Sequence, residues 1–315
     1  MEQKGNLIVR YLIYIGEVLI FPGLLFTAVV GLVTSWIDRK VTARVQMRVG
    51  PPFLQPFYDI VKYMVKETCV PAGASKMVFL AAPIAGLAAV SVASTILWRV
   101  TIWPEKAFVG DLIVVLYLLT IPAISVVIGS FASANPIASI GGSREMKLIL
   151  SYELPFILAC LVPVIKNGSI ELGRILAEPM AAASPAGIIA LIVAILCMQA
   201  KLTLVPFDMP EAETELTGGA YVEYSGPPLG IFKLTRAMML FTMPIFLITV
   251  LWGGISFTNG AMGVLIGILK YVALIVITVL VRNTAPRVRI DQAMKFFWGP
   301  VTLFGVIAFI LAFIE

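Results

Sequence analysis

Histidine is absent from this chain of 315 residues, and cysteine occurs only three times. The absence of histidine excludes histidine-ligated haem, histidine-containing zinc or non-haem iron sites, and any catalytic triad built on histidine. Cys69, Cys160 and Cys197 lie far apart without a C-x-x-C motif, and three thiolates are too few for a Cys₄ iron–sulfur cluster. We therefore expect this chain to bind no metal or redox cofactor, so that any electron carriers it serves lie on other subunits.

Charged residues are also scarce, at 13% of the chain against 60% apolar residues, and the mean hydropathy is +0.99. This composition is typical of an integral membrane protein and excludes an ordinary soluble domain. Because the apolar character extends over the whole length, we expect one integral membrane domain, 1–315, without a cleavable signal peptide. No nucleic-acid-binding motif is present, and the net charge of +5 is attributed to cytoplasmic loops.

Long apolar stretches predict an all-α polytopic protein with eight transmembrane helices, since each span needs about 20 largely apolar residues. The fourth stretch is the least regular, because its N-terminal half is amphipathic. The predicted spans are 11–37, 77–98, 112–134, 147–165, 180–200, 229–252, 261–281 and 296–314.

The distribution of lysine and arginine predicts the orientation, because cytoplasmic loops are enriched in both. The odd-numbered connections between spans hold 14 of the 23 basic residues, whereas the opposite side holds six. The odd-numbered connections are therefore expected on the cytoplasmic side of the cell membrane, with both termini external. The fifth connection carries only Lys201, so its placement follows from parity with its neighbours.

The first connection, 38–76, contains a turn at Gly50-Pro51-Pro52, which cannot continue a helix. From Phe57 onward, apolar and polar residues alternate at helical spacing, which predicts an amphipathic helix at the membrane interface. The connection is either a plain interfacial anchor or a surface that docks a partner protein. The residues that would anchor such a partner are Arg39, Arg44 and Arg48.

The most acidic segment lies between the fifth and sixth spans, where 201–228 contains five carboxylates and one lysine. If 211–215 is helical, Glu211 and Glu215 share a face, with Asp208 one turn earlier. Crowded, partly desolvated carboxylates have raised pKa values, so this segment is either a solvated loop or a segment that holds and passes protons. Its carboxylates are Asp208, Glu211, Glu213, Glu215 and Glu223.

Charged residues inside apolar spans are costly and usually functional. Glu153 lies beside a proline, Pro155, in a short polar cluster, and we expect it to be functional. Lys270, near the middle of the seventh span, is either half of a buried ion pair or part of an ion pathway. Apart from Lys147 at the start of the fourth span, the other charged residues within predicted spans are Glu17, Lys233 and Arg236.

Four motifs occur in order along 38–298: Arg48-Val49-Gly50-Pro51 with Leu54-Gln55-Pro56, Ser151-Tyr152-Glu153, Pro206-Phe207-Asp208 through Glu223-Tyr224-Ser225-Gly226, and Arg282 with Pro286-Arg287-Val288-Arg289-Ile290-Asp291-Gln292. Together they resemble the signatures of the subunit 1 (H) family of respiratory complex I. The resemblance implies the heel subunit of a membrane arm, packed against a peripheral redox arm and linked to antiporter-like membrane subunits. It also implies that the acidic loop and intramembrane carboxylates couple redox chemistry to ion translocation.

The resemblance assigns two sets of residues. The ion-coupling set is Asp208, Glu211, Glu213, Glu215, Glu223, Glu153 and Lys270. The set facing the peripheral arm is Arg39, Arg44, Arg48, Arg282, Arg287 and Arg289. Iron–sulfur clusters, and a nickel–iron centre in hydrogenase-like versions, would then lie on partner subunits.

One departure from the family pattern bears on the electron acceptor. Lys201-Leu202-Thr203-Leu204-Val205 stands where quinone-reducing complex I usually has Glu-Thr-Asn-Arg-Ala, and Pro52 replaces an asparagine. Asp38-Arg39-Lys40 likewise replaces Glu-Arg-Arg. These changes resemble the membrane-bound hydrogenases and related sulfur-reducing complexes, which take electrons from ferredoxin and move H⁺ or Na⁺. A quinone-reducing subunit is the alternative.

Two further interpretations remain open from the sequence. A stand-alone ion transporter usually contains internal repeats with paired broken helices, and no such repeat is apparent. A purely structural anchor for a peripheral arm would keep the basic loops but would not use the intramembrane carboxylates.

Overall fold

The computed structural model describes residues 13–257 and 260–315, except for the side chains of Glu213 and Thr214. Within these ranges the regular structure is helical, which confirms the all-α prediction. Seven helical segments there are long and apolar enough to cross a membrane, and one further apolar helix, Pro185–Lys201, is shorter at 17 residues. The chain is therefore a multi-pass membrane protein with the predicted number of apolar segments.

The helices are numbered in chain order. They are α1 (Leu24–Val45), α2 (Gln55–Val65), α3 (Lys76–Ile102), α4 (Asp111–Leu118), α5 (Ile121–Ala132), α6 (Pro136–Asn167), α7 (Leu172–Ala177), α8 (Pro185–Lys201), α9 (Glu213–Leu216), α10 (Pro227–Leu251), α11 (Gly260–Thr284), α12 (Ile290–Phe296) and α13 (Thr302–Ile314). A helical segment at 13–19 precedes α1, and a π-helical turn, Phe297–Val301, joins α12 to α13.

Several helix boundaries differ from the predicted ones. Helix α1 continues to Val45, α6 begins at Pro136 rather than at 147, and the last span begins at Ile290. The predictions were short because hydropathy marks the apolar part of a helix, whereas these helices extend through amphipathic turns. Asn135 starts α6 early, since its side-chain oxygen accepts a hydrogen bond from the Ile137 backbone nitrogen.

Helix α10 forms the centre of the bundle. Every residue from Ala237 to Leu251 is buried, and α10 contacts α1, α3, α8 and α11. A second group packs beside it, in which α6 contacts α5, α8 and α13. The side chains between these groups form one continuous apolar cluster. The N-terminal end of α10 is thereby fixed beside the acidic loop that precedes it.

Gly31 permits the close contact between α1 and α10. A Cβ at this position would lie 2.6 Å from the Ala237 carbonyl oxygen and 2.8 Å from its carbon, so the backbones would have to move apart. We expect Gly31→Ala to lower the free energy of unfolding by about 1–3 kcal/mol, the usual cost of overpacking. Thermal unfolding in detergent measures this loss. Gly16→Ala is the matched control, because nothing lies within 4 Å of its added Cβ; equal destabilisation by both changes would contradict the prediction.

The amphipathic helix predicted in the first connection is present as α2, and the odd-numbered connections meet at its end of the bundle. Its apolar residues Tyr58, Val61 and Val65 remain exposed, consistent with a helix lying on a membrane surface. The contacts that bring the connections together are Val288 N to Pro206 O at 3.2 Å, Arg144 to Glu215 at 2.7 Å, and Gly226 against the Glu67 carbonyl.

Candidate ion-coupling site

The acidic loop, residues 202–226, folds as a chain of turns rather than as one helix. Only Glu213–Leu216 is α-helical, and Gly219–Tyr221 forms a single 3₁₀ turn. The loop is fixed at its end by Tyr224, whose ring stacks on Phe79 with centroids 4.0 Å apart and whose hydroxyl donates to the Phe79 carbonyl at 3.0 Å. Glu211 lies outside this short helix, so the condition under which Glu211 and Glu215 would share a helical face is not met.

The carboxylates of this loop are separated, and each described one has a different polar partner. The sequence predicts crowded carboxylates, whereas in the structure each described carboxylate has its own partner. These are Asp208 with Arg287 at 2.7 Å, Glu211 with Arg236 and with Lys233 at 3.8 Å, Glu215 with Arg144 at 2.7 Å, and Glu223 with Asn135. The side chain of Glu213 lies outside the described residues.

Glu211 pairs with two cations, and its pKa moves opposite to the expectation from sequence. Burial by itself raises the pKa of Glu211, but the Arg236 guanidinium and the Lys233 ammonium together hold it below its usual value. Glu211 is therefore ionised at neutral pH. Arg236 also donates to the Thr203 carbonyl at 2.9 Å, so the pair ties the start of the loop to α10.

Glu153 pairs with Lys201, a residue whose sequence signal was only its departure from the family pattern. Lys201 Nζ lies 3.3 Å from Glu153 Oε2 and donates to Thr120 Oγ1 at 3.0 Å. Thr120 in turn donates to Glu153 Oε1 at 3.0 Å, which closes a three-residue ring. The Lys201 side chain has no exposed surface, and its ammonium also lies 4.7 Å from the Phe156 ring centroid. The N-cap of α5 thus meets α6 and α8 in one partly buried ionic cluster.

Lys270 is bound to backbone oxygens. Its ammonium donates to the carbonyls of Trp252 at 2.6 Å and Gly254 at 3.4 Å, just beyond the C-terminus of α10. Carbonyls at a helix C-terminus favour a cation, so this position stabilises the end of α10. The structure places Lys270 apart from the acidic loop, beside the connection at the other end of α10.

A cavity of about 530 Å³, here called the outer cavity, lies between α1, α2, α10 and the acidic loop. Three of the predicted docking arginines line it and pair with acids: Arg39 with Asp59, Arg282 with Asp38, and Arg287 with Asp208. Desolvation raises the pKa of Asp59, yet hydrogen bonds from Arg39 and Gln55 lower it overall. The remaining docking candidates, Arg44, Arg48 and Arg289, are exposed at the surface.

A smaller cavity of about 50 Å³, here called the inner cavity, lies beyond the Arg236–Glu211 pair. Its lining includes Lys201 and Glu145, a buried carboxylate that sequence reasoning missed. Glu145 was missed because the fourth span was predicted to begin at 147, which left this residue in a loop. The signal was available in the amphipathic turns before 147. Among the described residues, no three Cys, Asp or Glu side chains gather as a metal-binding group.

Comparison with known proteins identifies the family. The sequence profile of the NADH dehydrogenase family matches residues 18–313 of the chain. The chain belongs to the complex I subunit 1 (H) family. This confirms the resemblance carried by the four motifs, and the chain is accordingly a complex I-like membrane subunit of a respiratory complex.

Individual relatives agree with this family. The chain is 34% identical over 295 residues to the H subunit of NADH-quinone oxidoreductase from Bacillus cytotoxicus, covering 87% of this chain and 86% of the relative. It is 33% identical over 301 residues to the same protein of Brevibacillus brevis, covering 90% and 89%. Among solved structures, a chain of the membrane-bound sulfane sulfur reductase, an archaeal respiratory membrane complex, is similar with a TM-score of 0.81 and 29% identity, covering 92% of this chain and 96% of that one.

Proposed function

We propose that this subunit couples electron transfer in a peripheral arm to the translocation of H⁺ or Na⁺ across the cell membrane. The observation that carries the proposal is the ring of fully buried Lys201, partly buried Glu153 and Thr120, since a charged pair inside a membrane bundle is costly and usually functional. Lys201 is the last residue of α8, so its side of the pair lies directly before the acidic loop.

The mechanism begins at the paired charges of the outer cavity. A redox event in the peripheral arm alters charge or shape at the acidic loop, and the Arg236–Glu211 pair responds because it binds that loop at Thr203. Thr203 lies two residues from Lys201, so movement there shifts the partner of Glu153. One unit of charge in a poorly solvated site changes the energy by several kcal/mol, enough to bias a two-state equilibrium.

Partner subunits supply the electron transfer and the ion translocation in the proposed complex. The exposed Arg44, Arg48 and Arg289 dock the peripheral redox subunits, while antiporter-like membrane subunits receive the change relayed by Glu153. The electron carriers, iron–sulfur clusters with or without nickel–iron, lie on those peripheral subunits, and ferredoxin is the indirect donor. The similarity to a sulfane sulfur reductase chain and the Lys201–Val205 segment both support this version.

Replacement of Glu153 tests the coupling role. Ion uptake and electron transfer are measured together in vesicles containing the whole complex. Loss of uptake with retained electron transfer supports the proposal, and unchanged uptake in Glu153→Gln would overturn it. Mass spectrometry of the purified complex separates the two ferredoxin-linked versions: a nickel–iron subunit with its metal-binding cysteines means a hydrogenase, and the same subunit without them points to sulfur or quinone reduction.

Quinone reduction is the second candidate, favoured by the names of the curated relatives and by the size of the outer cavity. A cavity of about 300–1,000 Å³ accommodates a small ligand. Its lining opposes this use, because it contains four carboxylates and five basic side chains and only one aromatic residue, Tyr63. Inhibition of the assembled complex by a quinone-site inhibitor would favour the quinone version.

The proposed orientation places the odd-numbered connections in the cytoplasm and both termini outside. Cys69 tests it, since it is exposed in the first connection, whereas Cys160 and Cys197 are buried and serve as internal controls. We expect a membrane-impermeant maleimide to label Cys69 in inverted vesicles and to spare it in sealed right-side-out vesicles until they are permeabilised. The reverse pattern would invert the topology.

A further inference from the structure

Glu145 is a buried carboxylate for which the coupling path described above has no use. It lies on α6 with 2% of its surface exposed, and its Oε2 has no hydrogen-bond partner among the described residues. The residue lines the inner cavity. An ionised carboxylate is costly in such a place unless it is paired, so the neutral, proton-carrying form is favoured there.

The charged neighbours of Glu145 in the inner cavity are already committed. From α8, Lys201 binds Glu153 and Thr120; from α10, Arg236 binds Glu211 and the Thr203 carbonyl. The remaining titratable group in the lining is Tyr221, from the 3₁₀ turn of the loop. Because Lys201 and Arg236 both bind other groups, one Glu145 oxygen has no hydrogen-bond partner among the described residues. The cavity that Glu145 lines lies between the two ion pairs.

The two cavities share a wall. Leu202, Thr203, Glu211 and Arg236 line both of them, and the Arg236–Glu211 pair spans this wall. A water molecule needs about 10–15 Å³ of such space, so the inner cavity of about 50 Å³ has room for about three to five. Separation of the ion pair would connect this water to the outer cavity.

We propose that Glu145 is a proton-binding station in the inner cavity, exchanging its proton with water from the outer cavity when the Arg236–Glu211 pair opens and passing it toward the Lys201–Glu153 pair. This inference rests on the proposed coupling function and adds a residue, a gate and the identity of the ion. Either H⁺ or Na⁺ would neutralise Glu145, but a proton needs only the unpartnered carboxylate oxygen, whereas the Lys201 ammonium and the Arg236 guanidinium in the same lining offer Na⁺ no oxygen ligand.

The test uses the whole complex with Glu145→Gln, Glu145→Asp and Glu153→Gln. Asp111→Asn is the matched control, because Asp111 is also fully buried with one unpartnered oxygen, Oδ2, but lies outside both cavities. Infrared difference spectra report the C=O stretch of a protonated carboxylic acid at neutral pH. Ion uptake per electron is measured in vesicles prepared in parallel.

We expect Glu145→Gln to remove a carboxylic acid band and to lower ion uptake per electron at least about tenfold, because a positioned proton-transfer group commonly contributes about 10²–10⁴ in rate. Glu145→Asp should keep the band and part of the uptake, and Asp111→Asn should leave uptake unchanged. Retention of the band in Glu145→Gln, or its loss in wild type on adding Na⁺, would overturn the inference.

The outcomes also separate this inference from the proposed function. If Glu145→Gln transports normally while Glu153→Gln does not, the station falls and the coupling role of this subunit stands. If both variants transport normally, both proposals fall. Glu145→Gln is expected to fold, since glutamine replaces the neutral acid with nearly the same shape, and Glu145→Asp supplies the second variant if its yield is low.

Discussion

Complexes carrying Glu153→Gln are expected to transfer electrons at close to the wild-type rate but to translocate ions at least about tenfold more slowly, a difference of about 1.4 kcal/mol or more. The reason is the position of Lys201, whose side chain has no exposed surface and whose ion-pair partner is Glu153. Without that carboxylate the ammonium has no ionic partner in a desolvated site, so it loses its proton or moves. Either change removes the Lys201 ammonium from the position where movement of the acidic loop would act on it.

A double variant separates coupling from stability. Breaking a buried ion pair by removing one partner is strongly destabilising, whereas replacing both partners by neutral groups is often tolerated. We therefore expect Glu153→Gln with Lys201→Met to unfold at a temperature closer to wild type than either single variant, while ion uptake stays lost. Recovery of uptake in the double variant would mean that the pair is structural.

Glu17→Gln is the control for this experiment. Glu17 is another carboxylate inside an apolar segment, and its partner is Arg99 at 3.6 Å, near the C-terminal end of α3. That end is the one away from the first connection, because α3 begins directly after it. We expect normal ion uptake per electron in Glu17→Gln. A loss equal to that of Glu153→Gln would contradict the proposal that coupling depends on the carboxylates near the acidic loop.

Arg236→Gln should produce the second large effect, on the stability of the acidic loop. The change leaves Glu211 deprived of its closest cation. A fully buried pair broken in this way costs about 3–5 kcal/mol, and since both side chains here are partly exposed we expect about 2–3 kcal/mol. Thermal unfolding of the purified complex, with limited proteolysis at the loop, measures the loss.

The pH dependence of this effect has a definite sign. Since the folded-state pKa of Glu211 is below its ordinary value of about 4.3, the pair's stabilisation is fully present above that value and is lost as pH falls through the lowered pKa. The difference in stability between wild type and Arg236→Gln should therefore shrink below about pH 4. A difference that grows on acidification would contradict the assignment.

Arg174→Gln is the matched control for the arginine. Arg174 pairs with Glu171 at 3.2 Å, but its side chain is 73% exposed. Exposed pairs contribute about 0–1 kcal/mol, so this variant should unfold close to wild type. Because both variants remove an arginine from a glutamate, the contrast between them isolates the effect of burial.

Prediction from sequence worked best where one residue type, or the spacing of apolar residues, is enough to specify the local structure. The amphipathic pattern from Phe57 correctly predicted a helix, found as Gln55–Val65, because both faces are encoded locally. Prediction failed at helix ends such as Pro136, where the helix continues beyond the apolar stretch through residues that hydropathy scores as loop. That error hid Glu145. The acidic run was recognised, but its carboxylates were expected to have raised pKa values, because their basic partners are distant in sequence and were not identified.

The sequence by itself determined that this chain is a helical membrane protein without its own histidine-based metal site, because composition and hydropathy act residue by residue. It also determined the family, because the four motifs and their order can be recognised without knowing which residues are in contact. Only the tertiary structure decided the chemistry of the charges. Lys201 and Glu153 are 48 residues apart, and Glu211 and Arg236 are 25 apart. Their pairing depends on how α6, α8 and α10 pack, because a charge in a membrane bundle is stabilised by whichever partner the fold brings within reach.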